Sequence, residues 1–335
     1  MGRLIARRLV FVVFVLWGVS LITFVLSRVV PGDPARLIAG PRADAAAIAH
    51  IRSLYGLDRP LVHQYVAYMG DLLHGNLGIS FMTRRPVSRD LRTYFPATIE
   101  LTLLALVLGV GVAFVAVLVS TRRRGSAADR AVQLSAVGGV SLPAFWLALL
   151  LQLVIGAKLK WLPITGRLVP GGAPPSHVTG LYTLDGLLTG NLPAFFDALR
   201  HLVLPAVALA AGVYGLMARI LRASLLDVSG EDYVRTAEAK GLARGRVLLR
   251  HVLRNALLPA VTVLGLEFAV LAGGVFVVEY LFAFPGIGQY AFNAFSASDY
   301  NAIMGATLVV AITYVLTNLI VDIVYLYLDP RIRYT

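Results

Sequence analysis

The chain has 335 residues, 58% of them hydrophobic and 14% charged, with a mean hydropathy of +0.77. A charged fraction well under the roughly 25% of soluble domains excludes an ordinary soluble fold and points to a chain that crosses a bilayer several times. The net charge of +12 lies largely in loops between apolar spans, where headgroup contact and orientation explain it better than nucleic acid, and the absence of cysteine excludes disulfides and thiolate sites.

Arg3, Arg7 and Arg8 precede the uncharged run Leu9–Ser27. A spanning helix needs about 20 apolar residues, so a first span is expected, reaching to about Val30. Arg28-Val29-Val30-Pro31-Gly32-Asp33-Pro34 offers no small-x-small site after it, so the segment is read as an anchor rather than a cleaved leader. Residues 31–96 contain no run long enough to span. Pro31-Gly32 and Gly40-Pro41 are turn signals, and an amphipathic stretch lies near Leu61–Leu73. A small extracytoplasmic domain is expected. His50, His63 and His74 fall in it without the spacing of a metal motif, so no metal site is assigned.

The second span follows Pro96-Ala97-Thr98-Ile99-Glu100, with Leu101–Thr121 uncharged. Arg122, Arg123, Arg124 and Arg130 mark a short cytoplasmic loop. Ala131–Ala157 is uncharged and long enough for a tilted third span, with a kink expected at Pro143 where a backbone bond is lost. Kinked helices often line pathways, although proline is common in spans. Pro143, Phe145 and Trp146 are therefore pathway candidates. An irregular external loop covers roughly 158–199, and the fourth span runs from about His201 to Ile220.

Ser229–Pro259 is the longest polar interval of the second half and reads as two short helices hinged at a glycine. Ser229 can cap the first, with Asp232 in the reciprocal position. Ala237-Glu238-Ala239 keeps that helix slim, and Gly241 is a left-handed stop. Arg246, Arg250 and Arg254 form a stripe on the second, with Leu249, Val252, Leu253 and Ala256 on another side. The fifth span covers about Leu258–Phe282, a loop without Lys or Arg extends to about Tyr300, and the sixth span is about Asn301–Tyr327.

Six spans place both termini on the side that carries the Arg-rich loops, the cytoplasm. No P-loop, H-E-x-x-H or G-x-S-x-G motif occurs, so the chain itself is not expected to bind ATP or to be an enzyme, and no catalytic residues are assigned. Few acids fall in or near spans: Glu267 and Asp322, with Glu100 and Glu279 near span ends. Glu267 is the strongest pathway candidate by depth, open to three readings: contact with a charged substrate, with a partner helix, or a hydrogen bond to a neighbouring span.

The central stretch resembles the cytoplasmic coupling loop of ABC importer permeases. The aligned residues are Arg235-Thr236-Ala237, Gly241 and Leu258-Pro259. The generic Glu of that motif is absent here, and Glu238 stands three residues before Gly241. The form RTAEAKG (235–241) followed by HVLRNALLP (251–259) is similar to the dipeptide/oligopeptide branch. So are VPGDP (30–34), YGLDRPLVHQY (55–65), GNLGISF (75–81), RPVSRDL (85–91), SLPAFWL (141–147), WLPITG (161–166), FPGIGQY (284–290) and LDPRIR (328–333). The resemblance implies an all-α fold of six transmembrane helices. Residues 1–30 would hold the N-terminal tail and first helix, 31–96 the extracytoplasmic domain, 97–328 a five-helix core with its coupling loop at 223–257, and 329–335 the tail. It further implies a bacterial plasma-membrane subunit with a second homologous permease, two cytoplasmic ATPase subunits that hold ATP and Mg, and an extracytoplasmic solute-binding protein. Tyr233, Arg235, Thr236, Ala237, Glu238, Ala239, Lys240 and Gly241 would form the ATPase contact. An ion-coupled secondary transporter is the alternative. It calls for paired intramembrane acids and repeats, whereas Glu267 is a single mid-span acid and no internal repeat is found.

Overall fold

The computed structural model describes residues 2–29, 34–39, 43–54, 56–122, 124–273 and 275–328. The turn signals Pro31-Gly32 and Gly40-Pro41, the motif residues Val30, Asp33 and Tyr55, Arg123 and the tail from Asp329 lie outside these. In lipid an apolar chain must satisfy its own backbone, which favours helices. Among the described residues the only extended pairing is a single antiparallel bridge, Ile79 to Pro86.

The helices are α1 (Gly2–Val29), α2 (Pro34–Ala39), α3 (Ala45–Leu54), α4 (Leu61–Leu73), α5 (Val87–Arg122), α6 (Ala127–Ser141), α7 (Ala144–Leu151, continuing as a π-turn through Lys158), α8 (Tyr182–Leu188), α9 (Leu192–Ser229), α10 (Asp232–Ala239), α11 (Arg244–Val247, continuing as a π-turn through Val252), α12 (Leu253–Ala272), α13 (Phe276–Leu281), α14 (Ile287–Ser296) and α15 (Tyr300–Leu328). Among the described residues five stretches are long and apolar enough to cross a membrane: α1, α5, α9, Gly245–Ala272 and α15. A sixth exists if α6 and α7 count as one broken span.

The α9 helix is the central post. Within its most apolar window 67% of residues are buried, against 11% for α1, so α9 is enclosed by the rest of the chain where α1 is largely uncovered. It packs on α5, α6, α7, α8 and α12. Small residues permit this approach. A Cβ on Gly139 would stand 2.4 Å from the Ala211 carbonyl, and one on Gly215 2.5 Å from the Ala136 carbonyl. Neither backbone could yield, so α6 and α9 are locked at glycine contact distance.

Several boundaries differ from those the sequence suggests. The second-span helix begins at Val87, before Pro96, because proline in a helix interior is tolerated when its neighbours re-satisfy the freed carbonyl. The third span is not a kinked rod. Its two halves meet at 101° around Leu142 and Pro143, since Pro143 has an extended backbone and cannot continue α6. The fifth span stops at Ala272, capped by Gly273, not at Phe282. The expected loop that contains FPGIGQY holds α14, whose Ile287, Tyr290 and Ala294 at i, i+3 and i+7 bury against α5 and α15.

At the end where α5, α9 and α15 begin, connections are fastened by buried carboxylates. Glu100 takes the Arg167 guanidinium through Nε at 3.1 Å and Nη2 at 2.5 Å, while its other oxygen accepts from the Thr183 amide and hydroxyl at 2.6 and 2.7 Å. The guanidinium lies 3.5 Å from the Tyr182 ring centroid. Asp185 accepts from the amides of Val178, Thr179 and Gly180 and from the Thr179 hydroxyl. Burial works against its ionisation, but the four donors outweigh it and hold its pKa below the ordinary carboxylate value. Asp299 takes the Ser80 hydroxyl at 2.6 Å and the Met82 amide at 3.0 Å, tying the residues before α5 to α15. Glu279 accepts from Thr98 Oγ1 at 2.6 Å and the Gln289 amide at 3.1 Å. Among the described residues no cation reaches it. Burial pushes its carboxyl above the ordinary range, against these donors.

Candidate functional site

The polar interval between α9 and α12 folds as two short helical pieces, α10 and α11, and each is anchored through one face. Val234 and Ala237 are buried in the main core with Leu221, Leu225, Val252, Leu253 and Ala256. Tyr233 is tied down at its tip: its hydroxyl accepts from Asn255 Nδ2 at 2.7 Å. Glu231, Asp232, Arg235, Thr236, Glu238, Ala239 and Lys240 stand exposed. Among the described residues the only ion pair on this face is Arg235 with Asp232 at 3.6 Å, both largely in solvent.

Gly241 has φ +78°, the left-handed stop expected, and nothing lies within 4 Å of the place a Cβ would occupy there. Any other residue would therefore meet a conformational cost rather than a clash. The Ser229 cap is corrected. Ser229 ends α9 and donates to the Leu225 carbonyl at 2.5 Å, while α10 starts from Glu231 without a side-chain cap. The reason is that α9 continues to Ser229, so its hydroxyl bonds back into the preceding turn. Ala237, expected in the ATPase contact, instead has its small side chain buried in the chain's own core. Ala239 alone of the two alanines points outward. Arg246, Arg250 and Arg254 are exposed together as expected, but Leu249 is exposed as well, since the π-turn Leu248–Val252 shifts the apolar phase.

A clasp that sequence reasoning missed joins this region to the spans. Buried Asp129, at the start of α6, accepts from Ser120 of α5 at 2.5 Å and from the Gly125 amide at 3.0 Å. Arg222 of α9 grips it from the third side through Nε and Nη2 at 3.2 and 3.1 Å. Seven residues beyond Arg222, α9 gives way to the α10 segment. One carboxylate thus ties α5, α6 and the last turns of α9 together. Asp129 lies in a run of arginines, so the sequence signal was masked by its neighbours.

The membrane-depth candidates do not converge. Pro143 forms the right-angle break, and Phe145 and Trp146 just after it are about half exposed. Glu267 is half-buried on α12 without a hydrogen-bond or ion-pair partner among the described residues. It flanks an apolar groove of about 630 Å³ between α5, α12 and α15, lined by neighbours Leu264 and Phe268 but not by Glu267 itself. Asp322, by contrast, is paired with Arg8 of α1 at 2.7 Å. Among the described residues no group of His, Asp and Glu is placed to hold a metal.

The fold defines a multi-pass helical membrane protein that carries an exposed, glycine-stopped helix on a polar turn. The chain belongs to the family of inner membrane components of binding-protein-dependent transport systems. That family matches residues 105–334, and its N-terminal companion matches residues 1–102. Similar relatives include the probable D,D-dipeptide transport system permease protein DdpB of Escherichia coli (strain K12), 46% identical over 96% of this chain and 94% of the relative. The dipeptide transport system permease protein DppB of Alkalihalophilus pseudofirmus is 41% identical over 98% of both chains. The glutathione transport system permease protein GsiC of Escherichia coli O6:H1 is 38% identical over 98% of both. These relatives support a transport-system permease and not the ion-coupled alternative.

Proposed function

We propose that this chain forms half of the translocation pathway of an ATP-driven importer for peptides or related small solutes. A second homologous permease supplies the other half, two ATPase subunits hold ATP and Mg, and a solute-binding protein delivers cargo. The observation that carries this reading is the exposed face of α10: a charged helix, anchored by Val234 and Ala237, that no described part of the chain covers. The peptide-transport names of full-length relatives give the solute class. In this reading Arg235, Thr236, Glu238, Ala239, Lys240 and Gly241 meet the ATPase, with Tyr233 and Ala237 seating the helix from behind. Both termini and the loop at 121–130 face the cytoplasm, and 31–96 lies on the outer side, packed on α1 and the start of α15, with its last ten residues forming the first turns of α5. Nucleotide closure would rotate α10, and the Asp129–Arg222 clasp would carry that rotation into α5 and α6 as rigid-body motion.

The test is ATP-driven uptake in proteoliposomes with copurification of the ATPase subunits. Gly241→Val should leave insertion intact and cut uptake or ATPase retention severalfold, because a β-branched residue resists φ +78°. Wild-type values in both assays would defeat the coupling role. Ser126→Cys, in this cysteine-free chain, should resist an impermeant external reagent in intact cells, and labelling there would invert the orientation.

A further inference from the structure

At the end of α1 that carries Arg28, a cleft of about 520 Å³ opens between α1, α4 and the start of α15. Arg28 sits in the last turn of α1, with its guanidinium 5.4 Å from the Phe24 ring centroid. Its Nε is buried with no hydrogen-bond partner, and among the described residues no carboxylate pairs with it. Across the cleft the Gln64 carbonyl oxygen is likewise buried and unpartnered, although its amide donates to Leu57 and Arg59. Asp71 lines the same cleft, but one of its oxygens already accepts from Asn76 at 3.1 Å. An unpaired guanidinium inside a concave site is expensive unless an anion completes it.

The position of the cleft names the anion. Tyr65 of α4 bonds Ser20 Oγ at 3.0 Å, and Phe24 meets Tyr65 and Tyr68 at centroid distances of 5.3 and 5.7 Å. Ser20 is eight residues before Arg28, about 12 Å along the helix. Thus α4 lies alongside the last turns of a lipid-facing span instead of standing above the bilayer. Its outer face carries Val62, Val66 and Leu73, at i, i+4 and i+11, all exposed. Next to the cleft α1 exposes Val25 and Leu26. An aromatic cluster, an amphipathic helix and a terminal arginine at one level mark the headgroup zone.

We infer that this cleft binds one phospholipid, its headgroup phosphate on the Arg28 guanidinium and its acyl chains running along α1 past Val25, beside the lining residues Phe24 and Tyr68. The fork of the guanidinium suits two phosphate oxygens. The inference needs only that α1 spans the membrane, so it stands or falls independently of the transport reading and of the orientation.

The probe is a phosphatidylglycerol with a photoactivatable acyl chain, in nanodiscs of phosphatidylethanolamine and phosphatidylglycerol that hold the complete importer. After illumination, peptide mapping should find label on α4 around Val62–Tyr68. Arg28→Ala should lower that label about tenfold, the loss of one charge-assisted hydrogen bond. Arg28→Lys should keep part of it, and Arg89→Ala, an exposed arginine elsewhere, should change nothing. If Arg28→Ala fails to assemble, Gln64→Glu serves instead: a carboxylate facing the phosphate should remove the label, and Gln64→Ala, which gives up the same bonds to Leu57 and Arg59 without adding a charge, should keep it. Absence of label on α4, or label unchanged in Arg28→Ala and Gln64→Glu, overturns the site. Full displacement by inorganic phosphate or by a peptide makes it a free-anion or substrate site, and the lipid assignment is then wrong.

Discussion

Apart from the Asp129 clasp, the two ends of the bundle are built on opposite terms. Where α5, α9 and α15 begin, Glu100, Asp185, Glu279 and Asp299 are almost wholly buried, and each is met by donors from a different element. At the opposite end eight of the ten residues Glu231–Lys240 are exposed, and the α10 segment is seated mainly through one apolar face. A buried carboxylate that has its donors fixes geometry, because losing one donor strands a charge. An exposed charged face fixes nothing in the isolated chain, and its charges gain meaning only against a partner. The first end therefore holds the mouth of the bundle in one shape, and the second leaves a surface free to be moved.

The largest break of this contrast is Arg167→Ala. Glu100 would remain buried with only Thr183 to meet it, and removing one partner of a buried pair costs about 3–5 kcal/mol. Thermal unfolding in detergent should show a large loss, and Arg167→Ala with Glu100→Gln together should recover much of it. Equal stability of Arg167→Ala and the wild type would mean that this end is not fixed by its carboxylates.

The alanine pair separates the two ends within one helix. Ala237→Trp forces a large ring into the core beside Val234 and Leu253, and overpacking of this kind costs about 1–3 kcal/mol. Ala239→Trp projects from the exposed face, so thermal stability should stay within about 0.5 kcal/mol of wild type. Uptake should nevertheless fall in both. A variant at Ala239 with full uptake and full ATPase retention would show that the exposed face meets no partner.

How far could the sequence go? The spans α1, α9 and α15 were visible because an uncharged run near 20 residues has few alternatives in lipid. Gly241 was visible because a glycine after a slim helix has one common use, and its φ of +78° follows. The right-angle break at Pro143 was only half visible: proline announces a bend, but its size depends on packing against α9 and α13. Glu100 stood out as an acid beside a span, yet Arg167 lies 67 residues away in an irregular loop, and no periodicity links them. Asp129 was hidden among arginines of a loop read only for its charge. Local rules find helices and stops, whereas ion pairs between distant elements are products of the fold.

Acid should distinguish the two kinds of buried carboxyl. Asp185 has its pKa lowered in the fold, so its contribution is present above the unfolded value near 4 and is lost as pH falls through the folded one. Glu279 has its pKa raised, so its share is present in acid and is lost as pH rises through the folded value. Asp185→Asn should therefore lower stability at neutral pH and flatten its decline below about pH 4. Thermal midpoints across pH for the two proteins give the comparison. Parallel curves would show that the four donors to Asp185 do not favour its charged form.

The smallest effect belongs to the ion pair between α1 and α15. Arg8 and Asp322 meet at 2.7 Å, nearly as close as the buried pair, but their side chains keep 57% and 33% of their exposure. Distance alone would rank the two pairs as near equals. Exposure ranks them far apart: water and headgroups can replace either partner, and exposed pairs contribute about 0–1 kcal/mol. Asp322→Asn should thus cost less than about 1 kcal/mol, and most of that should disappear as salt is raised. Unfolding of the variant at low and high ionic strength measures both. A salt-independent loss as large as that of Arg167→Ala would show that α1 is held to α15 by a desolvated pair, and the contrast between the fixed and the free end would then not extend to the first span.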